Sequence, residues 1–87
     1  MRKRDWGTIT IDILEATMQP ERKMRIMYKA NMNFERFDKY FQEFLRKGLI
    51  KGKKSSDGKA AYVISERGKT LLEALKKARD VFASCED

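Results

Sequence analysis

Asn33-Phe34-Glu35-Arg36-Phe37-Asp38-Lys39-Tyr40-Phe41-Gln42-Glu43-Phe44-Leu45-Arg46-Lys47-Gly48 is the stretch from which the rest of the chain is read. Phe34, Phe37, Tyr40, Phe41, Phe44 and Leu45 share an arc of about 140° when successive side chains turn by ~100°. Glu35, Arg36, Asp38, Lys39, Gln42, Glu43, Arg46 and Lys47 fill the remainder of the wheel. That division predicts an amphipathic helix with an aromatic core stripe. Asn33 is placed to cap it by accepting a hydrogen bond from an early backbone N–H. Gly48 is placed to stop it, where positive φ is favoured. The chain holds five Phe, three Tyr and one Trp, and six of these rings lie between Tyr28 and Phe44. The core is therefore centred on this helix. Rings at helical spacing pack inward, whereas base-stacking platforms must be exposed.

Working back toward the start, Asn31-Met32-Asn33 interrupts the pattern, and a short helix precedes it. Met24, Met27 and Tyr28 sit at i, i+3 and i+4, and the helix runs to about Ala30. Pro20 suits the first position of this helix, with Glu21 in its first turn. Met18, Met24, Met27 and Met32 read as core filler. A first helix is expected from Asp5 to Met18, with Trp6, Ile9, Ile13 and Leu14 as its stripe. Ile9, Ile11 and Ile13 also alternate as in a strand, but Asp12-Ile13-Leu14-Glu15-Ala16 continues with good helix formers. Met1-Arg2-Lys3-Arg4 is expected to be a mobile basic tail.

Beyond Gly48, Leu49-Ile50 and Tyr62-Val63-Ile64 read as strands around the turn-forming cluster Ser55-Ser56-Asp57-Gly58. The hairpin is rich in lysine: Lys51, Lys53, Lys54 and Lys59. Ser65 then caps a final helix from about Glu66 to Ser84. In it Leu71, Leu75, Ala78, Phe82 and Cys85 step by four and three, which makes an a/d seam of about two heptads. Leu72 and Val81 flank it. A stripe this long exceeds what one small domain covers, and pairing with a second copy would bury it.

The whole chain has 87 residues, with 20 Lys and Arg against 13 Asp and Glu and a formal charge of +7. One domain is expected at this length, and 41% hydrophobic residues suffice for a core. The charge is uneven. Residues 1–30 hold seven bases and four acids, and residues 48–59 hold four and one. Residues 60–87 are balanced at five and five. Clustered charge raises the local potential and suits a polyanion. No apolar run is long enough to span a bilayer, and no secretory leader is visible. A single Cys and no His leave no disulfide, no multi-Cys zinc site and no common general base. Asp12 with Glu15 is an ordinary helix-surface pair, Ser55-Ser56 has no base beside it, and Cys85 has no activating His. The expectation is a small cytoplasmic binding protein, not an enzyme, with no cofactor and no metal.

Two helices joined by a tight turn make a helix-turn-helix, and a hairpin straight after the second makes it winged. The predicted fold is mainly α with a small β-hairpin. A basic tail occupies 1–4, a winged helix-turn-helix domain 5–65, and a C-terminal dimerisation helix 66–87.

Arg25-Ile26-Met27-Tyr28-Lys29-Ala30-Asn31-Met32-Asn33, then Lys39-Tyr40-Phe41 and Leu45-Arg46-Lys47-Gly48-Leu49-Ile50, resemble the archaeal winged-helix family. Its members include the small, ten-kilodalton Sulfolobus DNA-binding type. Tyr62-Val63-Ile64-Ser65-Glu66-Arg67-Gly68 is similar to that family's second wing strand and its entry to the last helix. The resemblance covers roughly residues 9–75. It implies a nucleoid-associated protein, a transcription regulator or chromatin component, that dimerises through its C-terminal helix.

In that architecture Asn33, Glu35, Arg36 and Lys39 at the start of the third helix would face base edges in the major groove. Lys23, Arg25 and Lys29 on the second helix, with Lys53, Lys54 and Lys59 on the wing, would meet phosphates. The expected partners are double-stranded DNA and a second copy through Leu71, Leu75, Ala78, Phe82 and Cys85. The alternative is a protein-interaction module whose basic faces dock an acidic partner.

Overall fold

The computed structural model describes residues 5–85; the expected basic tail at 1–4 and residues 86–87 lie outside the described residues. Asp5 opens α1 (Trp6–Ala16) by accepting a hydrogen bond from the Thr8 N–H at 2.8 Å. Ile9, Thr10, Ile11, Ile13 and Leu14 are all buried, so the alternating set is covered and so is the helical one except for Trp6, which at the first position of α1 is 50% exposed. A helix that is apolar on most sides belongs at the centre of its domain. Thr17 closes it, its hydroxyl donating to the Leu14 carbonyl at 2.8 Å.

The second helix begins later than its sequence suggests. α2 spans Lys23–Lys29, with Arg22 as its N-cap, and Pro20 and Glu21 precede it. The reason is main-chain pairing. Glu21 donates its N–H to the Tyr62 carbonyl at 2.9 Å and accepts the Tyr62 N–H at 2.7 Å. Both its backbone groups are thus committed to a neighbouring strand before the helix starts. The buried face of α2 also differs from the expected methionine stripe. Ile26, Met27 and Ala30 enter the core, Met32 is half-buried, and Met18, Met24 and Tyr28 are exposed, Tyr28 by 70%. Asn31, at φ +56°, makes the tight turn that follows.

α3 (Phe34–Arg46) starts where Asn33 accepts the Arg36 N–H at 3.0 Å. Phe37, Phe41 and Phe44 are buried, with Tyr40 and Leu45 packed at the edge of the core. Phe37 stacks on Phe41 at 5.2 Å between ring centroids, and Tyr62 meets Phe41 edge-on at 4.8 Å. Phe34 is the exception to the expected stripe: at the first helical position it projects past the core and is 49% exposed. Gly48, at φ +74°, ends the helix.

The wing is longer than the apolar residues alone indicate. β1 (Ile50–Lys54) pairs antiparallel with β2 (Ala60–Ile64), in a register from Ile50 opposite Ile64 to Lys54 opposite Ala60. Lysines extend β1 because its outer residues need no core partner; only Ile50 is buried there. α4 (Glu66–Ser84) is capped by Ser65, whose hydroxyl accepts the Gly68 N–H at 3.0 Å. Gly68 sits where a β-carbon would lie 2.2 Å from the Leu49 carbonyl oxygen, so α4 docks on the segment between α3 and β1 through a bare backbone. Leu72 is buried, and Leu71 and Leu75 pack against the same core. From Lys77 onward every described residue of α4 is exposed, and the described body measures 53 × 30 × 19 Å. The winged helix-turn-helix architecture is the one expected: four helices and a two-stranded hairpin among the described residues.

Candidate nucleic-acid interface

The face of α3 opposite its aromatic stripe carries Glu35, Arg36 and Lys39, all exposed. Asn33 stands at its N-terminal edge with its side-chain oxygen engaged as the helix cap. The structure brings these four predicted base-facing residues into one run at the start of α3. Gln42 extends the face and donates to Asp38 at 3.3 Å.

The predicted phosphate ligands divide into two groups. Those of α2 are already paired. Lys23 donates to Asp38 at 2.6 Å and stands 5.3 Å from the centroids of Phe34 and of Phe41. Lys29 donates to Glu21 at 2.7 Å, and Arg25 lies 3.9 Å from the same carboxylate. These contacts leave their marks on the acids. The bond from Lys29 holds the Glu21 carboxyl below its ordinary value, helped by the Arg22 N–H and the nearby Arg25 charge. The bond from Lys23, seconded by Gln42, does the same to Asp38.

The wing is different. Lys51, Lys53, Lys54 and Lys59 are exposed, and among the described residues none has a carboxylate partner. Lys39 of α3 is likewise without one. The wing's acid, Asp57, is engaged by the Ser55 hydroxyl, by the Lys59 N–H at 3.0 Å and by the Arg22 guanidinium. Those donors, the hydroxyl first, lower its carboxyl to about 2. Sequence reasoning passed over Arg22 and read Asp57 only as a turn residue. Nothing in local spacing links positions 35 residues apart.

The predicted seam on α4 is also divided. Leu71 and Leu75 lie against the domain's own core, whereas Ala78, Phe82 and Cys85 lie beyond it in the open, Phe82 by 82%. Among the described residues no cluster of His, Cys, Asp and Glu could hold a metal ion, and no helix is long and apolar enough to cross a membrane.

Comparison with known proteins agrees with this geometry. The winged helix-turn-helix family pattern matches residues 3–83. An uncharacterized protein of the archaeon Methanocaldococcus jannaschii is 30% identical over 83 residues, covering 94% of this chain and 80% of the relative. Among solved structures the chain is similar to Sso10a-2, a DNA-binding protein from Sulfolobus solfataricus. That match has 25% identity and a TM-score of 0.80, over 92% of this chain and 83% of the other. The resemblance to the Sulfolobus type read from Arg25–Asn33 and Tyr62–Gly68 is thereby borne out. A MarR family transcription regulator, SP03579, shares the fold at 17% identity and a TM-score of 0.77, over 93% of this chain and 55% of the regulator. So does F-93 of SSV1, at 15% identity and a TM-score of 0.70, over 98% of each chain. With the pattern spanning nearly the whole length and the elements in matching order, the chain belongs to the winged helix-turn-helix family.

Proposed function

We propose that this protein binds double-stranded DNA, with the exposed start of α3 in the major groove and the wing on the flanking phosphates. One observation carries the reading: Lys51, Lys53 and Lys54 on β1, Lys59 beside the wing turn and Lys39 on the outer face of α3 are all exposed and, among the described residues, without a carboxylate partner, a state shared outside them by Arg67, Lys77 and Arg79 of α4. A helix of ~10–12 Å diameter fits the major groove. Unpaired ammonium groups on an adjoining hairpin provide the sequence-independent share of affinity, since each phosphate they neutralise releases a counterion. The likeness to a Sulfolobus DNA-binding protein supports the same reading. In it Arg36 and Lys39 read base edges beside Asn33 and Glu35, while Lys53, Lys54 and Lys59 position the protein. Lys23, Arg25 and Lys29 are held along α2, and those that reach phosphate do so from within existing ion pairs.

We further infer a homodimer. Residues 66–87 would serve as the dimerisation helix, its outer part covered by a second copy. The exposed Ala78, Val81, Phe82 and Cys85 support it, because a helix end bearing a phenyl ring has no covering among the described residues.

Titration of a random duplex at two salt concentrations tests the main reading. If about six to ten phosphates are neutralised by the dimer, affinity falls by roughly 10³–10⁵ between 50 and 200 mM salt. Lys54→Ala or Lys59→Ala should weaken all sequences alike and lower the salt slope, whereas Arg36→Ala or Lys39→Ala should narrow the gap between a preferred duplex and a random one. Salt-insensitive binding, or none at low salt, favours an acidic protein partner instead.

A further inference from the structure

Three consecutive residues ahead of and within α2 each reach a different part of the fold. Glu21 joins its main chain to Tyr62 on the outer edge of β2, with bonds of 2.9 and 2.7 Å. Arg22 extends its guanidinium to Asp57 at the wing tip. Lys23 donates to Asp38 on α3 at 2.6 Å. The root of the wing, its tip and the helix beside it are thus all fastened to one short segment.

The tip is fastened as a unit. Asp57 also accepts from the Ser55 hydroxyl and from the Lys59 N–H, and the Gly58 N–H donates to the Ser55 carbonyl at 2.9 Å. Arg22 therefore grips a folded turn rather than a loose side chain. A two-stranded hairpin attached only at its root is marginally stable and free to swing. A second attachment at the far end removes that freedom before any ligand arrives.

We propose that Arg22 and Asp57 form a clasp that holds the wing at a fixed angle to α3, making both positioning residues for duplex binding rather than phosphate ligands. The proposal rests on the duplex reading above. Two elements that must touch one duplex together bind more tightly when their relative placement is already set, because less ordering remains to be done on association. Charge alone argues the other way. A carboxylate among four lysines opposes a polyanion, and its removal should help if the clasp does nothing. The sign of the effect therefore separates the two accounts.

The experiment uses the full chain with Asp57→Asn, Arg22→Gln and the double substitution, titrated by fluorescence anisotropy against one random-sequence duplex. Asn at 57 keeps an acceptor for the Lys59 N–H but loses the ionic grip. Asp57→Asn removes a negative charge, yet the clasp predicts binding weakened about two- to fivefold, the range one exposed ion pair supplies. The double substitution restores the wild-type net charge and should remain weaker than wild type by a similar factor. Amide order parameters at Ser56 and Gly58, measured without DNA, should fall in every variant while the unfolding midpoint stays put in Arg22→Gln. If Asp57→Asn lowers that midpoint, Arg22→Gln carries the order-parameter test. Tighter or unchanged binding by Asp57→Asn, with the double variant equal to wild type, overturns the clasp. If the wild type binds no duplex at low salt, the duplex reading fails instead, and a wing that stays rigid in the variants overturns the clasp independently.

Discussion

At Gly68 a single methyl group decides whether α4 can dock. The added β-carbon of an alanine would stand 2.2 Å from the Leu49 carbonyl oxygen and 2.7 Å from the Ile64 side chain. The first is backbone and has nowhere to go. Gly68→Ala should therefore destabilise the fold by about 1–3 kcal/mol, the range for overpacking, seen as a lower thermal midpoint. Gly52 provides the control: its added β-carbon would meet only the Tyr62 ring, at 3.9 Å. Gly52→Ala should leave the midpoint nearly unmoved. The sequence shows a Gly one turn into a helix, but not that a carbonyl from the segment between α3 and β1 lies against it. Phe34 shows the same limit from the other side. Its place on the wheel is apolar, yet at the first position of α3 the core has already ended.

Among the elements, α3 and α4 were legible because each carries its own caps and its own period. Asn33, Gly48 and Ser65 mark their ends by local chemistry, and the structure finds them in those roles. α2 was less so. Its start is set by the pairing of Glu21 with Tyr62, a contact between distant parts of the chain that outweighs the preference of Pro20 for a first helical turn. The wing's extra length had the same origin, since Lys51, Gly52, Lys53 and Lys54 have little strand propensity and are held by the register of β2. α4 yields a prediction at this scale. Leu75 supports its own domain, so the cleaner probe of assembly is Phe82, which touches no core. Phe82→Glu should leave the thermal midpoint of the monomer intact while shifting sedimentation at micromolar concentration from dimer to monomer. A wild type that already sediments as a monomer ends the dimer reading.

For the molecule as a whole, the carboxylates set the acid limit. The pKa values of Asp5, Glu21, Asp38 and Asp57 are all lowered in the folded state, Asp57 to about 2. A lowered folded-state pKa adds stability that is fully present above the unfolded value and is lost as pH falls through the folded one. Circular dichroism should therefore show a flat plateau near neutrality and a decline confined to the window from about pH 4 down to 2. With no histidine in the chain, duplex affinity should also be nearly constant between about pH 5 and 8, where only that side chain ordinarily changes charge. The outer half of α4 has a different consequence, visible to a protease. Lys77 and Arg79 sit on an exposed stretch of helix with no tertiary cover among the described residues, and such a stretch opens locally at little cost. Within residues 5–85 trypsin should cut there first and leave the body intact. If a second copy covers that end, mass action makes the nick slow as protein concentration rises. The half-life of these two bonds, followed by mass spectrometry across a dilution series, then reports how tightly the two chains hold each other.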